Sequence, residues 1–496
     1  MRVLVQLRSS PAVLAPMGLG EPAPDVTHDL ESRVPTLTLD HDFPIVQVPR
    51  PIPVDPSGDP LSMMQPMSFS FDPEESTYLV RGEIADAAPS RVALLTASQP
   101  DIVGVFADPQ IETTPVYCGA APVGTADDVR TQLGVGTLTS RKLDGKGVAL
   151  AIVDTGINLA FLRSKGLNPT IDASRSWTPP GVHTKAGQFP VAHGSMCAYD
   201  ALIAAPKASL LDVPIMAAAV ATFAALLSDA VLAYAYLRTV LDAMPADGKR
   251  LVISNSWGIF DPSWDFPVGS PGNYSDNPAH PFNVIVGSLA QAGADILFAA
   301  GNCGRDCPDS RCRFGNARPI NGANSHPQVI SVAGIDVRRR RVGYSSQGPG
   351  RLADQKPDVS SYTHFLGSEA EGAGEADSGT SAACPVMAGV VGAMRTKFAA
   401  GAIPPAQLRA VIAKTSANLG LPGYDYDYGW GAVDPVALAD GLAATPGGPV
   451  KKAGGTTKAA KKAGTKSTTK AGAKAAKSTK AKAAKITKTA KAAAKA

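Results

Sequence analysis

The stretch Gly147-Val148-Ala149-Leu150-Ala151-Ile152-Val153-Asp154-Thr155-Gly156 decides how this chain is read. An unbroken apolar run from Val148 to Val153 stops at an acid and a turn glycine. A short run without two-residue alternation suits a strand buried on both faces of a parallel sheet. Working outward, ASLLDVPI (208–215), RLVISNSW (250–257), ADILFAAG (294–301) and QVISVAGI (328–335) repeat the pattern. Helix-like segments lie between them, notably 216–243 and 282–292, and DDVRTQLGV (127–135) is a helix candidate with an acidic first turn. Strand and helix in alternation predict an α/β domain with a mainly parallel sheet, closing near residue 443. In such sheets reactive groups gather at the C-terminal strand edge, where Asp154 sits.

Two further segments carry reactive side chains. His193-Gly194-Ser195 opens a helix-like run, and Gly379-Thr380-Ser381-Ala382-Ala383-Cys384-Pro385 places a serine at the start of another. A serine hydroxyl is a poor nucleophile until an imidazole takes its proton, and a buried carboxylate fixes that imidazole's tautomer. A helix N-terminus also favours developing negative charge. Each segment alone is a common pattern. Their joint occurrence in the order Asp, His, Ser is the specific signal. His183 and Ser378 are rival positions. His183 lies in a Gly/Pro/Lys-rich stretch with no helix after it, and Ser378 lacks the Ala-x-Pro helix start at the right spacing.

Through these residues the chain resembles the subtilase family, over roughly residues 125–443. The resemblance implies a three-layer α/β/α subtilisin-like fold. It implies a serine endopeptidase that needs no cofactor, with Asp154, His193 and Ser381 as catalytic triad and a polypeptide as substrate. It also implies that Asn302, ending Phe298-Ala299-Ala300-Gly301-Asn302, offers its amide to the reaction's oxyanion, with the Ser381 backbone N–H as second donor. Ser254, Asn255, Ser256, Trp257 and Gly258 would form the substrate-binding strand, pairing with an extended peptide. Tyr344-Ser345-Ser346-Gln347-Gly348 and Lys356-Pro357-Asp358-Val359 match further family landmarks. The His segment departs from the usual H-G-T-x-V-A, and Ala382 stands where Met is common, yet no reacting group is lost. Calcium stabilises many such enzymes, but no unmistakable ligand cluster is present, and no metal is assigned.

The rest of the chain divides by composition. Residues 1–68 are Pro- and Asp-rich and read as an extension of loops and short strands. Residues 69–113 form an α+β segment, with SFSFDPEESTYLVRGEI (68–84) as strand and SRVALLTASQ (90–99) as helix. This segment resembles an inhibitory propeptide, or else is a permanently packed extension. A linker spans 114–126, the catalytic domain 127–443, and a disordered basic tail 444–496. From Lys451 onward there are 15 Lys and no acid, leaving 32 basic and 43 acidic side chains before it. Such a polycation gains affinity for phosphates by releasing counterions, so nucleic acid or another polyanion is the expected partner of 451–496. The runner-up function is a catalytically idle binding protein tethered by this tail.

The apolar run near the N-terminus is cut short by Arg8, Pro11 and Pro16, so no secretory signal is read and a cytoplasmic location is expected. Ile215 to Leu237 could mimic a membrane span, but Asp229 near its middle favours a buried helix. Cys303, Cys307 and Cys312 could bind zinc, form one local disulfide of undetermined pairing, or stay free. Cys197 and Cys384 read as small buried thiols.

Overall fold

The computed structural model describes residues 1–15, 22–53, 67–85, 88–113, 121–217, 224–308, 311–312 and 317–446. The basic tail from residue 451 and most of the expected linker, 114–120, lie outside these described residues.

The N-terminal region is built on one antiparallel sheet. Its strands are β1 (Arg2–Arg8), β2 (Leu37–Leu39), β3 (Val46–Val48), β6 (Thr77–Ile84) and β7 (Ile102–Ala107), with β4 (Arg50–Pro53) and β5 (Met67–Ser70) forming a separate hairpin. β1 lies between β6 and β7 and pairs with both. Val3, Val5 and Leu7 of β1 enter a core with Leu30, Tyr78 and Val105, while Leu4 faces the opposite way. The expected boundary at residue 68 therefore cuts through a folded sheet. The reason is that β1's partners in β6 lie 69 to 81 residues along the chain, so the Pro-rich surroundings hid a central strand. The expected strand 68–84 is two strands, β5 and β6, separated by a turn at Asp72–Ser76. β8 (Gln110–Glu112) leaves this region.

The larger body, from residue 121 onward, follows the α/β expectation. β9 (Ala149–Val153), β10 (Thr170–Ile171), β11 (Ser209–Val213), β13 (Leu251–Asn255), β14 (Asp295–Ala299), β15 (Ile330–Ile335) and β16 (Val359–Tyr362) form a parallel sheet in the order β10-β11-β9-β13-β14-β15-β16. Alternate strand residues enter different cores, as the pleat requires. Leu150, Ile152, Val252 and Leu297 pack with the helices His193–Leu202 and Gly379–Arg395. Ala149, Val153, Ile253 and Phe298 pack with the helices Leu227–Asp242 and Pro281–Gln291. Helices thus cover both faces, giving three layers. β9 sits where the strand order reverses, so its C-terminal end opens onto a crevice. The far end of the Gly379–Arg395 helix is pinned by a buried ion pair, Arg395 Nε to Asp295 at 2.5 Å and Nη2 at 2.7 Å.

Of the expected helix 216–243, Leu227–Asp242 is helical, and residues 218–223 lie outside the described residues. Ala224–Leu226 is a strand, β12, because it pairs antiparallel with β8. Asp229 then caps the turn by accepting from the Leu226 amide at 3.0 Å. Among the described residues no helix is long and apolar enough to cross a membrane. A last hairpin, β17 (Phe365–Leu366) with β18 (Ala376–Asp377), delivers the chain to Gly379.

Candidate active site

Asp154 is the first residue beyond β9, and its side chain is 1% exposed. Its Oδ1 accepts from the Thr155 amide at 2.8 Å. His193 is the first residue of its helix, and its Nδ1 lies 2.9 and 3.1 Å from the two Asp154 oxygens. A carboxylate only accepts, so Nδ1 carries the proton and Nε2 is left as acceptor. Nε2 is buried without a hydrogen-bond partner. Burial pulls the His193 pKa down, but the Asp154 charge and hydrogen bond outweigh it, and the net shift is upward.

The two segments meet through glycines and hydroxyls. A Cβ on Gly194 would stand 2.6 Å from the Gly156 carbonyl oxygen, so the backbones can touch only without one. The Gly194 amide donates to Thr155 Oγ1 at 2.9 Å, and the Asn158 amide donates to Ser195 Oγ at 3.0 Å. The Thr-to-Ser departure in the His segment thus keeps a hydroxyl that the turn uses.

Ser381 stands in the first turn of the Gly379–Arg395 helix. Its Oγ donates to the Ser256 carbonyl at 3.3 Å, and Ser256 Oγ donates back to the Ser381 carbonyl at 2.9 Å. The hydroxyl is therefore turned to Ser256 rather than to His193 Nε2 in this conformation. Asn302 lies beside it. Gly379 has φ +74°, and a Cβ there would sit 2.9 Å from Asn302 Nδ2 and 3.5 Å from Ser381 Oγ. The missing methyl leaves open a space that both groups face.

The expected substrate strand divides by atom. Asn255 accepts from Tyr234 Oη at 3.1 Å and donates to the Leu297 carbonyl at 2.9 Å. Trp257 is 1% exposed and packs edge-on to Phe298. Ser254 is buried beside Cys384, with Oγ and Sγ 3.7 Å apart. These three side chains belong to the core. The backbone is engaged differently: the Ser256 carbonyl accepts from Ser381 Oγ, and Gly258 is bonded to Glu112 in both directions, at 3.1 and 3.2 Å.

Two features acquire their partners only in the structure. Cys197 Sγ lies 3.6 Å from Asp154 Oδ2, 3.7 Å from His193 Nδ1 and 3.6 Å from the Ser381 carbonyl. The sequence places it one helical turn after His193, and it is the small buried thiol expected there. Burial and the Asp154 charge push its pKa well up, so it is a neutral thiol. Asp154, His193 and Cys197 offer ligand atoms within 4.8 Å of one another, as do His28, Glu31 and His41 in the N-terminal region. In the first group the carboxylate and imidazole already hydrogen-bond each other. The second feature is Asp200, further along the His193 helix and fully buried. Burial and then the nearby Asp377 raise its pKa well above the carboxylate range. Of the three cysteines after Asn302, Cys303 pairs with Cys312, and Cys307 is likewise disulfide-bonded, so the zinc and free-thiol readings fail there.

The model of the subtilase family matches residues 145–431, more than half of the chain. The chain is also similar to the membrane-bound transcription factor site-1 protease of Homo sapiens, 32% identical over 134 residues. That similarity spans 24% of this chain and 12% of the relative's length.

Proposed function

The chain belongs to the subtilase family, a family of serine peptidases, and from that premise we propose that it is a serine endopeptidase acting through an acyl-enzyme on Ser381. His193 takes the Ser381 proton through Nε2 and later gives it to the leaving amine. Asp154 holds the Nδ1–H tautomer and stabilises the imidazolium. Asn302 Nδ2 and the Ser381 backbone N–H receive the developing oxyanion. For the attack, Ser381 Oγ exchanges its 3.3 Å bond to Ser256 for one to His193 Nε2.

The observation that carries this reading is the 2.9 Å Asp154–His193 contact, which leaves a buried Nε2 without a hydrogen-bond partner on the other side of the imidazole. A buried acceptor without a donor costs on the order of 1–3 kcal/mol, and a serine hydroxyl or its substrate relieves it. A fluorophosphonate probe should label Ser381 in the wild type and fail to label Ser381→Ala or His193→Ala. Labelling that survives His193→Ala removes the imidazole from the mechanism.

The strand β8 supports an inhibitory role for the N-terminal region, because a peptide paired with Gly258 excludes another from the same edge. N-terminal sequencing of active protein tests this. A start between about residues 113 and 127 fits removal of the segment, whereas Met1 on fully active protein opposes it. The disulfides at Cys303–Cys312 and at Cys307 favour an oxidising compartment over the cytoplasmic one expected from the N-terminus.

A further inference from the structure

The crevice beside Ser381 already holds a strand. β8 runs antiparallel to β12, with Glu112 opposite Ala224, and Glu112 exchanges both backbone hydrogen bonds with Gly258. Two positions further in that register a peptide reaches Ser256, whose carbonyl receives the Ser381 hydroxyl. A peptide threaded this way therefore runs toward the nucleophile. Its alternate side chains point apart. Ile111 is fully buried in the core, while the Glu112 carboxylate meets Arg311, with Nη1 to Oε2 at 2.5 Å.

Arg311 is held from its own side of the cleft. Its guanidinium carbon lies 5.1 Å over the Phe260 ring. Its neighbour Cys312 is bridged to Cys303, the residue after Asn302. Neither anchor belongs to β8, so both persist when β8 leaves. The side chain is 25% exposed, and its partner Glu112 is 11% exposed. Charge pairs shielded to that degree are stronger than open surface pairs.

We infer that Arg311 is the recognition group for an acidic side chain on a peptide strand paired with Gly258. Resting on the protease reading above, this makes substrates with Asp or Glu at that position the preferred class. Glu112 of the chain itself fills the same place in the intact molecule. The planar fork of an arginine matches a carboxylate and pairs poorly with an amide or a cation.

The test uses the full chain in two arms. In the first, Ser381→Ala protein is compared with the same protein also carrying Arg311→Ala, by hydrogen exchange of the 110–113 amides. Exchange should quicken about tenfold without Arg311, and the paired swap Glu112→Arg with Arg311→Glu should restore most of the protection. Unchanged exchange in Arg311→Ala overturns the inference, whatever the enzyme's activity. In the second arm a single Glu is walked through the positions of a cleavable peptide, with Gln in its place as control. One position should give about tenfold higher kcat/KM for Glu over Gln. Arg311→Ala should abolish that preference, and Arg311→Glu should turn it toward Lys. Cleavage with no acidic preference, or with one that survives Arg311→Ala, sinks the inference and leaves the protease reading standing. Protein that neither cleaves nor takes a fluorophosphonate fails the protease reading, and the exchange arm then decides on Arg311 alone.

Discussion

Thr380 holds Asn302 by two hydrogen bonds to the same oxygen: its backbone N–H at 2.9 Å and its hydroxyl at 3.0 Å both donate to Asn302 Oδ1. Thr380 Oγ1 in turn accepts from the Gly301 amide at 3.0 Å. With the oxygen so engaged, the amide cannot flip, and Nδ2 is directed to the space over Gly379.

Asn302→Ala should lower kcat by about 10²–10³ with little change in KM, as loss of one oxyanion donor does. Thr380→Val keeps the backbone N–H bond and removes the hydroxyl one. It should cost about tenfold in kcat, again with KM nearly unchanged. Steady-state kinetics on one peptide substrate checks both, and a Thr380→Val enzyme with full kcat would mean that the second bond is idle.

The pH profile reports the Asp154–His193 pair. In the proposed mechanism His193 accepts the Ser381 proton only when neutral, and its pKa is held above the ordinary value by Asp154 once burial is overcome. The acid limb of kcat/KM should therefore lie above pH ~6.5. In Asp154→Asn the attraction is gone and burial remains, so the limb should move to lower pH while kcat falls by about 10⁴. A limb that stays in place means another group controls it.

Asp377 gives a stability test of known sign. Burial is the main cause of its rise to about 6, above the unfolded value near 4. Its protonated form is favoured in the folded state, so this contribution is complete below pH ~4 and is lost as pH climbs through 6. Asp377→Asn should flatten the pH dependence of urea midpoints between pH 4 and 6 and add about 1–2 kcal/mol at pH 7. Its hydrogen bonds from the Ser368 amide and hydroxyl, at 2.6 and 2.7 Å, oppose that gain. A steeper pH dependence in the variant would contradict the sign.

Arg395 and Asp295, both almost fully buried, should show the asymmetry of interior ion pairs. Arg395→Met strands the Asp295 charge and should destabilise by about 3–5 kcal/mol, whereas adding Asp295→Leu should recover much of that loss. Urea denaturation of the two variants beside the wild type measures the difference. Equal destabilisation by both would mean that Arg395 acts mainly through its bonds to the Phe398 and Ile403 carbonyls.

What the sequence determined by itself is local. The aliphatic run ending at Asp154, the helix opened by His193 and the Gly379–Ser381 turn are each decided within about ten neighbours. There, strand burial and helix starts leave a periodic or punctuated pattern. Those segments placed the sheet, the candidate nucleophile and its partners. Tertiary structure alone decided the pairings across long stretches: β1 between β6 and β7, β8 against Gly258, Cys303 with Cys312, and Arg311 with Glu112. It also drew Asn255 and Trp257 into the core and set Cys197 against Asp154. Side-chain chemistry permits many partners for each of these groups. Only the packing of distant layers removes all but one, because each burial must leave its polar atoms bonded and its apolar surface covered.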